Sequence, residues 1–452
     1  MSDIVTLLQC TRPSLTTTTV RQLSRIIVAM LAMSGRVTML SLSRWAGKGG
    51  SYRTVQRFFY TVIPWATVFW VFFRSHLCHP DDVYLLGGDE CVVTKSGKKT
   101  YGLDRFFSSL YGKPVPGLSF FTLSLISTQQ RRSYPTMVEQ MVRTEAEKVA
   151  TQAKSHKKTQ QRQQNAPKGK PGRPKGSKNK EKPHVTLSPE LQRIQTMIHQ
   201  QLQVIGGMIA LTHMVLDGHF GNHPAVHMVR GCGLHLISKL RHDAALYFPY
   251  DGPYAGRGPR RKYGDKLDYH NIPVQSLTQT TVEDNIHTRL YQAQLFHTEF
   301  AQPLNVVILV KTNLTTQACA HVVLFSSDLD LSDVQLIDKY SLRFQIEFNF
   351  RDAKQYWGLE DFMHVQETAV SNAANFSLFM VNVAHVLVGH FRNGNPQFGV
   401  LDLKASCRGH KYVAETLKLL PQSPEPALIA EIFDQVSRLG RVHNAEPALN
   451  MS

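Results

Sequence analysis

The hydrophobic rhythm of the chain changes several times, and each change predicts a different kind of element. From about residue 18 to 75 the apolar residues recur at helical spacing, as in RQLSRIIVAMLAM. LSLSRWA then meets the turn GKGG, and SYRTVQRFFY follows with Ser51 placed to cap its first turn. From Val83 the apolar residues become contiguous. VYLLGGDECVV and GLSFFTLSLIS read as strands on either side of a basic turn, TKSGKKTYG. A helix resumes at SPELQRIQTMIHQQL, with Ser188 as its cap and Pro189 in the first turn. An apolar strand ending at Asp217 comes next, and GLHLISKLR, LNVVILVKTN and HVVLFSSDLDLS read as further strands. YSLRFQIEFNFRDAK then predicts one helix, and ETAVSNAANFSLFMVNVAHVLVGHF a long buried one. The last fifty or so residues look peripheral.

This pattern predicts an α/β protein with a helical N-terminal domain over 1–80. A catalytic core follows over 81–241, interrupted by a basic segment at 150–187. Residues 242–303, rich in Gly, Pro, Tyr and charge, read as an insertion subdomain. The core resumes over 304–392, and 393–452 form a C-terminal tail. The glycine turn between two short helices resembles a helix-turn-helix, with Tyr52, Arg53, Gln56 and Arg57 free to face DNA. A small helical bundle with snorkelling arginines fits the same pattern. GKGGS lacks the glycine spacing of a phosphate loop.

Charge narrows the partner. Lys and Arg number 51 against 34 Asp and Glu, a net +17, which favours an acidic partner such as double-stranded DNA. Residues 154–182 carry +10 of that, with almost no apolar residue, and predict disorder when free. Within them Pro171-Gly172-Arg173-Pro174, followed by Lys175, resembles an AT-hook, an extended strand for a narrow A·T minor groove. A solvated basic linker with nonspecific phosphate affinity is the plainer reading. Six cysteines without a C-x-x-C pair predict a reducing, cytoplasmic setting rather than a disulfide framework. Val62–Phe73 is too short to span a bilayer and contains Pro64, so no membrane partner is expected.

Candidate chemistry sits on three carboxylates. Asp89 lies within one apolar strand, Asp217 ends another, and Glu347 lies on the predicted helix. On that helix Tyr340, Arg343, Glu347 and Lys354 fall within about 60° of one another, with Arg351 beside them. Phe344, Phe348 and Phe350 flank this polar stripe, while Leu342, Ile346 and Ala353 lie behind it. Such a stripe between apolar shoulders suits the wall of a cleft. A carboxylate among strand residues is costly unless paired or metal-bound. Three together at a sheet edge would suit Mg²⁺ or Mn²⁺, and two ions ~4 Å apart can drive phosphoryl transfer. Structural ion pairs are the alternative, and Arg343 and Arg351 lie four residues either side of Glu347. His219, His223, His227 and Cys232 have spacing that suggests zinc, although Gly221 and Pro224 oppose one continuous helix there.

The spacing Tyr-x2-Arg-x3-Glu-x6-Lys, met by Tyr340, Arg343, Glu347 and Lys354, resembles the signature of the IS-four-like branch of bacterial DDE transposases. Asp217–Phe220 is similar to the second acidic motif of that family, and Gly87–Lys113 to the first. The resemblance covers most of residues 83–390. It implies a ribonuclease-H-like core, Asp89, Asp217 and Glu347 as metal ligands, and Tyr340, Arg343 and Lys354 as contacts to end DNA. It implies a cut-and-paste transposase acting on terminal inverted repeats and target DNA, as at least a homodimer. Two positions depart from the pattern. Cys91 stands where the family often has Thr, and the insertion has no Trp for a flipped base. Tyr247, Tyr250, Tyr254, Tyr263 or Tyr269 would have to stack in its place. A silent DNA-binding descendant and a structure-selective nuclease are the rival functions.

Overall fold

The computed structural model describes residues 2–108, 111–147, 185–254, 256, 258–392 and 395–443. The predicted AT-hook, with Arg173 and Lys175, lies outside these residues.

Five helices open the chain: α1 (Ser2–Leu7), α2 (Thr17–Ala32), α3 (Met39–Trp45), α4 (Tyr52–Tyr60) and α5 (Trp65–His76). Thr16, Thr38 and Ser51 each cap a helix by accepting a backbone N–H three residues on. Gly47 and Gly49 make the turn between α3 and α4 at φ of 67° and 80°, a region costly for any residue with a Cβ.

The strands are β1 (Tyr84–Thr94), β2 (Asp104–Ser108), β3 (Lys113–Ser127), β4 (Arg132–Gln140), β5 (His213–Val215) and β6 (His235–Leu240), followed by β7 (Leu246–Pro249), β8 (Tyr263–Lys266), β9 (Leu277–Glu283), β10 (Ile286–His297), β11 (Leu304–Asn313) and β12 (Cys319–Ser326). They form one mixed sheet in the order β2-β3-β1-β5-β6-β12-β11-β10-β7-β8, with β4 also on β3 and β9 also on β10. The β1–β5 and β5–β6 pairs are parallel. The others are antiparallel. The stretch 242–303 continues this sheet, because β10 pairs with β11 from Ile286 opposite Asn313 to Leu295 opposite Leu304.

The remaining helices are α6 (Pro189–Ile205), α7 (His223–Gly231), α8 (Asp333–Leu342), α9 (Gln345–Tyr356), α10 (Glu367–Arg392), α11 (Val400–Leu417) and α12 (Pro426–Arg438). By length and composition α10 could cross a bilayer, yet 78% of its apolar window is buried inside the protein. The N-terminal helices pack on it. Phe58 meets Phe376 edge-on, and Phe69 and Phe72 meet Phe379. Buried Asn372 pins the two together: it accepts from Trp65 Nε1 and donates to the carbonyls of Phe59 and Thr61, each at 2.7 Å. Asn372→Leu strands three polar groups, so it is expected to destabilise the protein by about 3 kcal/mol or more, read as a fall in thermal midpoint. An unchanged midpoint would contradict this anchoring role.

Three expectations change. The strand before Asp217 is only three residues long, because Gly206 and Gly207, at φ of 60° and 75°, end α6 and lead into turns. The helix predicted from Tyr340 to Lys354 is two helices. The amides of Arg343, Phe344, Ile346 and Glu347 bond to carbonyls three residues back, a tighter turn that lets α8 lie against β6 and β12 and α9 against β1 and β4. The final segment is not merely peripheral. Lys404 and Arg408 of α11 donate to the Met30 and Ala32 carbonyls at 2.8 and 3.1 Å, closing the C-terminus of α2.

Candidate active site

The parallel pairing of β1 with β5 brings two acids to one edge of the sheet. Leu86 lies opposite Met214 and Gly87 opposite Val215, and two residues beyond each stands an aspartate, Asp89 and Asp217. Asp89 remains in β1 opposite Thr122 of β3, and its Oδ1 accepts the Glu90 amide at 2.9 Å. Asp217 has left its strand. Its carboxylate accepts the His219 amide at 3.1 Å and opens a short 3-10 turn, while its carbonyl accepts Ser238 Oγ at 2.7 Å. Both contacts fix the direction in which the acid leaves the sheet.

Glu347 comes from α9, whose Ile346 is fully buried against β1. Gly87 allows that approach, and its neighbour Gly88 leaves room for Phe121 and Leu216. A Cβ on Gly87 would lie 2.8 Å from Ile346 Cδ1 and 2.5 Å from Ile126 Cδ1. One on Gly88 would lie 2.8 Å from the Phe121 ring and 2.9 Å from Leu216. Gly87→Val should therefore push α9 away from β1, costing about 1–3 kcal/mol, and separate Glu347 from Asp89. Chemical denaturation together with a cleavage assay reads both effects. Wild-type stability in the variant would show that the approach does not depend on Gly87.

Arg343 joins these acids. Its Nη1 donates to Asp89 Oδ2 at 2.6 Å and its Nη2 to Glu347 Oε1 at 2.9 Å. The Arg343 and Asp89 side chains are only 15% and 16% exposed, against 43% for Glu347. Burial pushes the Asp89 carboxyl up to about 6; Arg343 pulls it down, and the nearby Asp217 and Glu347 carboxylates add to the rise. A guanidinium at 2.6 Å by itself favours an ionised acid, and here burial outweighs it. Tyr340 is half-buried beside Arg343, and burial raises its phenol.

The rest of the predicted stripe divides. Lys354 turns onto β1, donating to the Val92 carbonyl and pairing with Glu360, both at 3.1 Å. Buried Cys91 adjoins it, and burial drives that thiol up to about 12. Arg351 is exposed, pairs with Asp352 at 3.0 Å rather than with Glu347, and covers the Phe348 ring. Phe344 and Phe348 stand exposed on the flank, in edge contact. Far from this cluster in sequence, Arg53 and Arg57 are exposed on α4, on the side opposite buried Val55, Phe58 and Phe59.

The histidine cluster is not assembled. His219 lies against Phe220, His223 against Phe300, and Cys232 Sγ lies 3.7 Å from His199. Among the described residues no three His, Cys, Asp or Glu side chains are drawn together in ligand geometry, the carboxylates included. For Asp89, Asp217 and Glu347 the reason is visible, since the Arg343 guanidinium stands between two of them. Their chemistry nonetheless suits a hard divalent ion, being all oxygen and negatively charged on one edge. Of the insertion tyrosines, Tyr254 is the exposed one; Tyr269 is stacked on His321, Tyr250 is covered by Arg261, and Tyr247 and Tyr263 pack on each other.

Sequence reasoning missed Lys95. It lies in what looked like a solvated basic turn, yet its ammonium donates to the Glu360 and Phe362 carbonyls at 2.9 and 2.8 Å and sits 3.6 Å over the Phe362 ring. Burial lowers it to about 8. No local pattern announces this contact across 265 residues.

The model of the family described as DDE superfamily endonuclease matches residues 10–298. That span includes Asp89 and Asp217 and stops short of Glu347. No curated protein matches the chain.

Proposed function

The chain belongs to the DDE superfamily endonucleases, a transposase-type family acting on DNA and typically using divalent metals, and from that premise we propose that it is the cut-and-paste transposase of a bacterial insertion sequence of the IS-four-like branch. The observation that carries this reading is the pairing of Asp89 and Glu347 through one guanidinium, with Asp217 brought to the same sheet edge by the parallel pairing of β1 and β5. The order β4-β3-β1-β5-β6, three antiparallel strands followed by two parallel ones, supports a ribonuclease-H-like core.

Asp89, Asp217 and Glu347 would hold the divalent metal, two Mg²⁺ or Mn²⁺ ions. The bound metal would supply activation of the attacking oxygen and charge neutralisation at the leaving one. Water cuts at the ends of the element and frees 3′-hydroxyls. Each hydroxyl then attacks a target phosphodiester in line, forming a new phosphorus–oxygen bond as the target's own bond to its 3′-oxygen breaks. Tyr340 and Arg343 hold the phosphate beside the acids, with Lys354 and Arg351 further along α9. Arg53 and Arg57 of α4 suit the phosphates or major groove of the terminal repeat. Arg173 and Lys175 suit an A·T-rich minor groove. Two ends must be joined, so a homodimer on DNA is the working form. Six free thiols support work in a reducing bacterial cytoplasm, on the nucleoid.

The test supplies DNA bearing both element ends, a supercoiled target plasmid and Mg²⁺ or Mn²⁺. Cuts at the ends with joining to plasmid are expected. Cutting without regard to the ends would make the protein a structure-selective nuclease. Binding without cutting would make it a silent descendant.

A further inference from the structure

Arg343 holds the same carboxylate oxygens that a divalent ion would need. It reaches Asp89 at 2.6 Å and Glu347 at 2.9 Å with two different nitrogens of one planar group. Both are charge-assisted hydrogen bonds, each roughly twice as strong as a neutral one, and a planar guanidinium delivers them together. It is also well enclosed, since Arg343 is 15% exposed. A buried guanidinium cannot leave without another anion to receive it, and the acids it leaves cannot stay close without another cation.

We infer that Arg343 is a resident counter-cation that competes with metal for Asp89 and Glu347 and that yields its place when a DNA phosphate arrives to receive its guanidinium. The inference rests on the metal reading of the three acids. It adds an order to it: metal loading and DNA binding become linked through one side chain, so the free protein binds metal weakly and does not cut at random. Arg343 is suited to the exchange by position. It lies in the tight turn between α8 and α9, beside Tyr340, at the half-exposed Glu347 rather than deep in the sheet. By linkage, whatever factor DNA adds to metal affinity, metal adds to DNA affinity.

The experiment measures Mn²⁺ affinity by electron paramagnetic resonance, using full-length protein with and without pre-cut end DNA. The wild type is compared with Arg343→Gln, Arg343→Lys and Asp217→Asn. Without DNA, Arg343→Gln is expected to bind Mn²⁺ at least about tenfold more tightly than wild type. Arg343→Lys should also bind more tightly, by severalfold, although its charge is unchanged, because a single flexible ammonium replaces the rigid fork that reaches Asp89 and Glu347 with separate nitrogens. Added DNA should tighten Mn²⁺ binding in the wild type by a larger factor than in Arg343→Gln. The melting temperature of Arg343→Gln should rise on adding Mn²⁺ by more than that of the wild type, a readout that does not depend on catalysis.

Equal affinity of wild type and Arg343→Gln, with Asp217→Asn weakened, would overturn the exchange and leave the metal site standing. If Arg343→Lys matches the wild type while Arg343→Gln binds more tightly, charge alone is at work and the exchange is again overturned. If Asp217→Asn binds as the wild type does, the metal reading fails and takes the inference with it.

Discussion

Glu347→Gln is expected to lower end cleavage by about 10³-fold or more while leaving the fold and DNA binding intact. The substitution keeps the size of the side chain and removes one negative charge. Glu347 is 43% exposed and pairs with Arg343, which retains Asp89, so little stability is at stake. The catalytic loss comes from elsewhere. A neutral amide is a poor ligand for a hard divalent ion, and the transition state of phosphoryl transfer gathers negative charge that must be neutralised in place. Gel-based cleavage and joining assays, with a binding assay and a melting curve alongside, read the three quantities separately. A variant that cuts as well as the wild type would make Glu347 a structural residue paired with Arg343.

The second large effect is on pH. Burial, with the nearby Asp217 and Glu347 carboxylates, holds the Asp89 carboxyl up to about 6 against the pull of Arg343. A raised carboxyl pKa means that the folded protein binds a proton at Asp89 where an exposed aspartate would not. Below about 6 that proton competes with metal, so kcat/KM at limiting metal should fall about tenfold per pH unit and level off above it. The linkage to stability has the opposite sign. The ionised form is disfavoured in the fold, so this group weakens the metal-free protein as pH rises from its ordinary value near 3.8 through about 6. Arg343→Gln removes the opposing charge and should move the pH midpoint of metal binding upward, even as it tightens binding above that midpoint. A profile flat from pH 5 to 8 would show that Asp89 does not carry the proton that matters.

Much of this site was legible in the sequence, and the parts that were not share a cause. The strand around Asp89 and the burial of Ile346 behind Glu347 follow from local rhythm, whereas grouping the acids as one site came from the family resemblance. The caps at Ser51 and Ser188 likewise depend only on their neighbours. Periodicity failed at Arg343–Phe344 because apolar spacing does not register one tighter turn, and the two helices are set apart by packing on different strands. The Arg343–Glu347 pair could be read from their spacing of four, but Asp89 lies 254 residues away from Arg343 in the chain. The carbonyl contacts of Lys95, from a basic turn, and of Lys354, expected on DNA, were hidden for the same reason: each reaches across the fold. The continuation of the sheet through β10 into 242–303 is likewise a long-range pairing, which composition read as an insertion.

The most direct test of the central claim is anomalous diffraction from crystals of the protein on its pre-cut end DNA with Mn²⁺. The account predicts anomalous density about 2 Å from carboxylate oxygens of Asp89, Asp217 and Glu347, with the Arg343 guanidinium turned onto a DNA phosphate. DNA seated on the protein with no ion at these acids, and Arg343 still spanning Asp89 and Glu347, would contradict it.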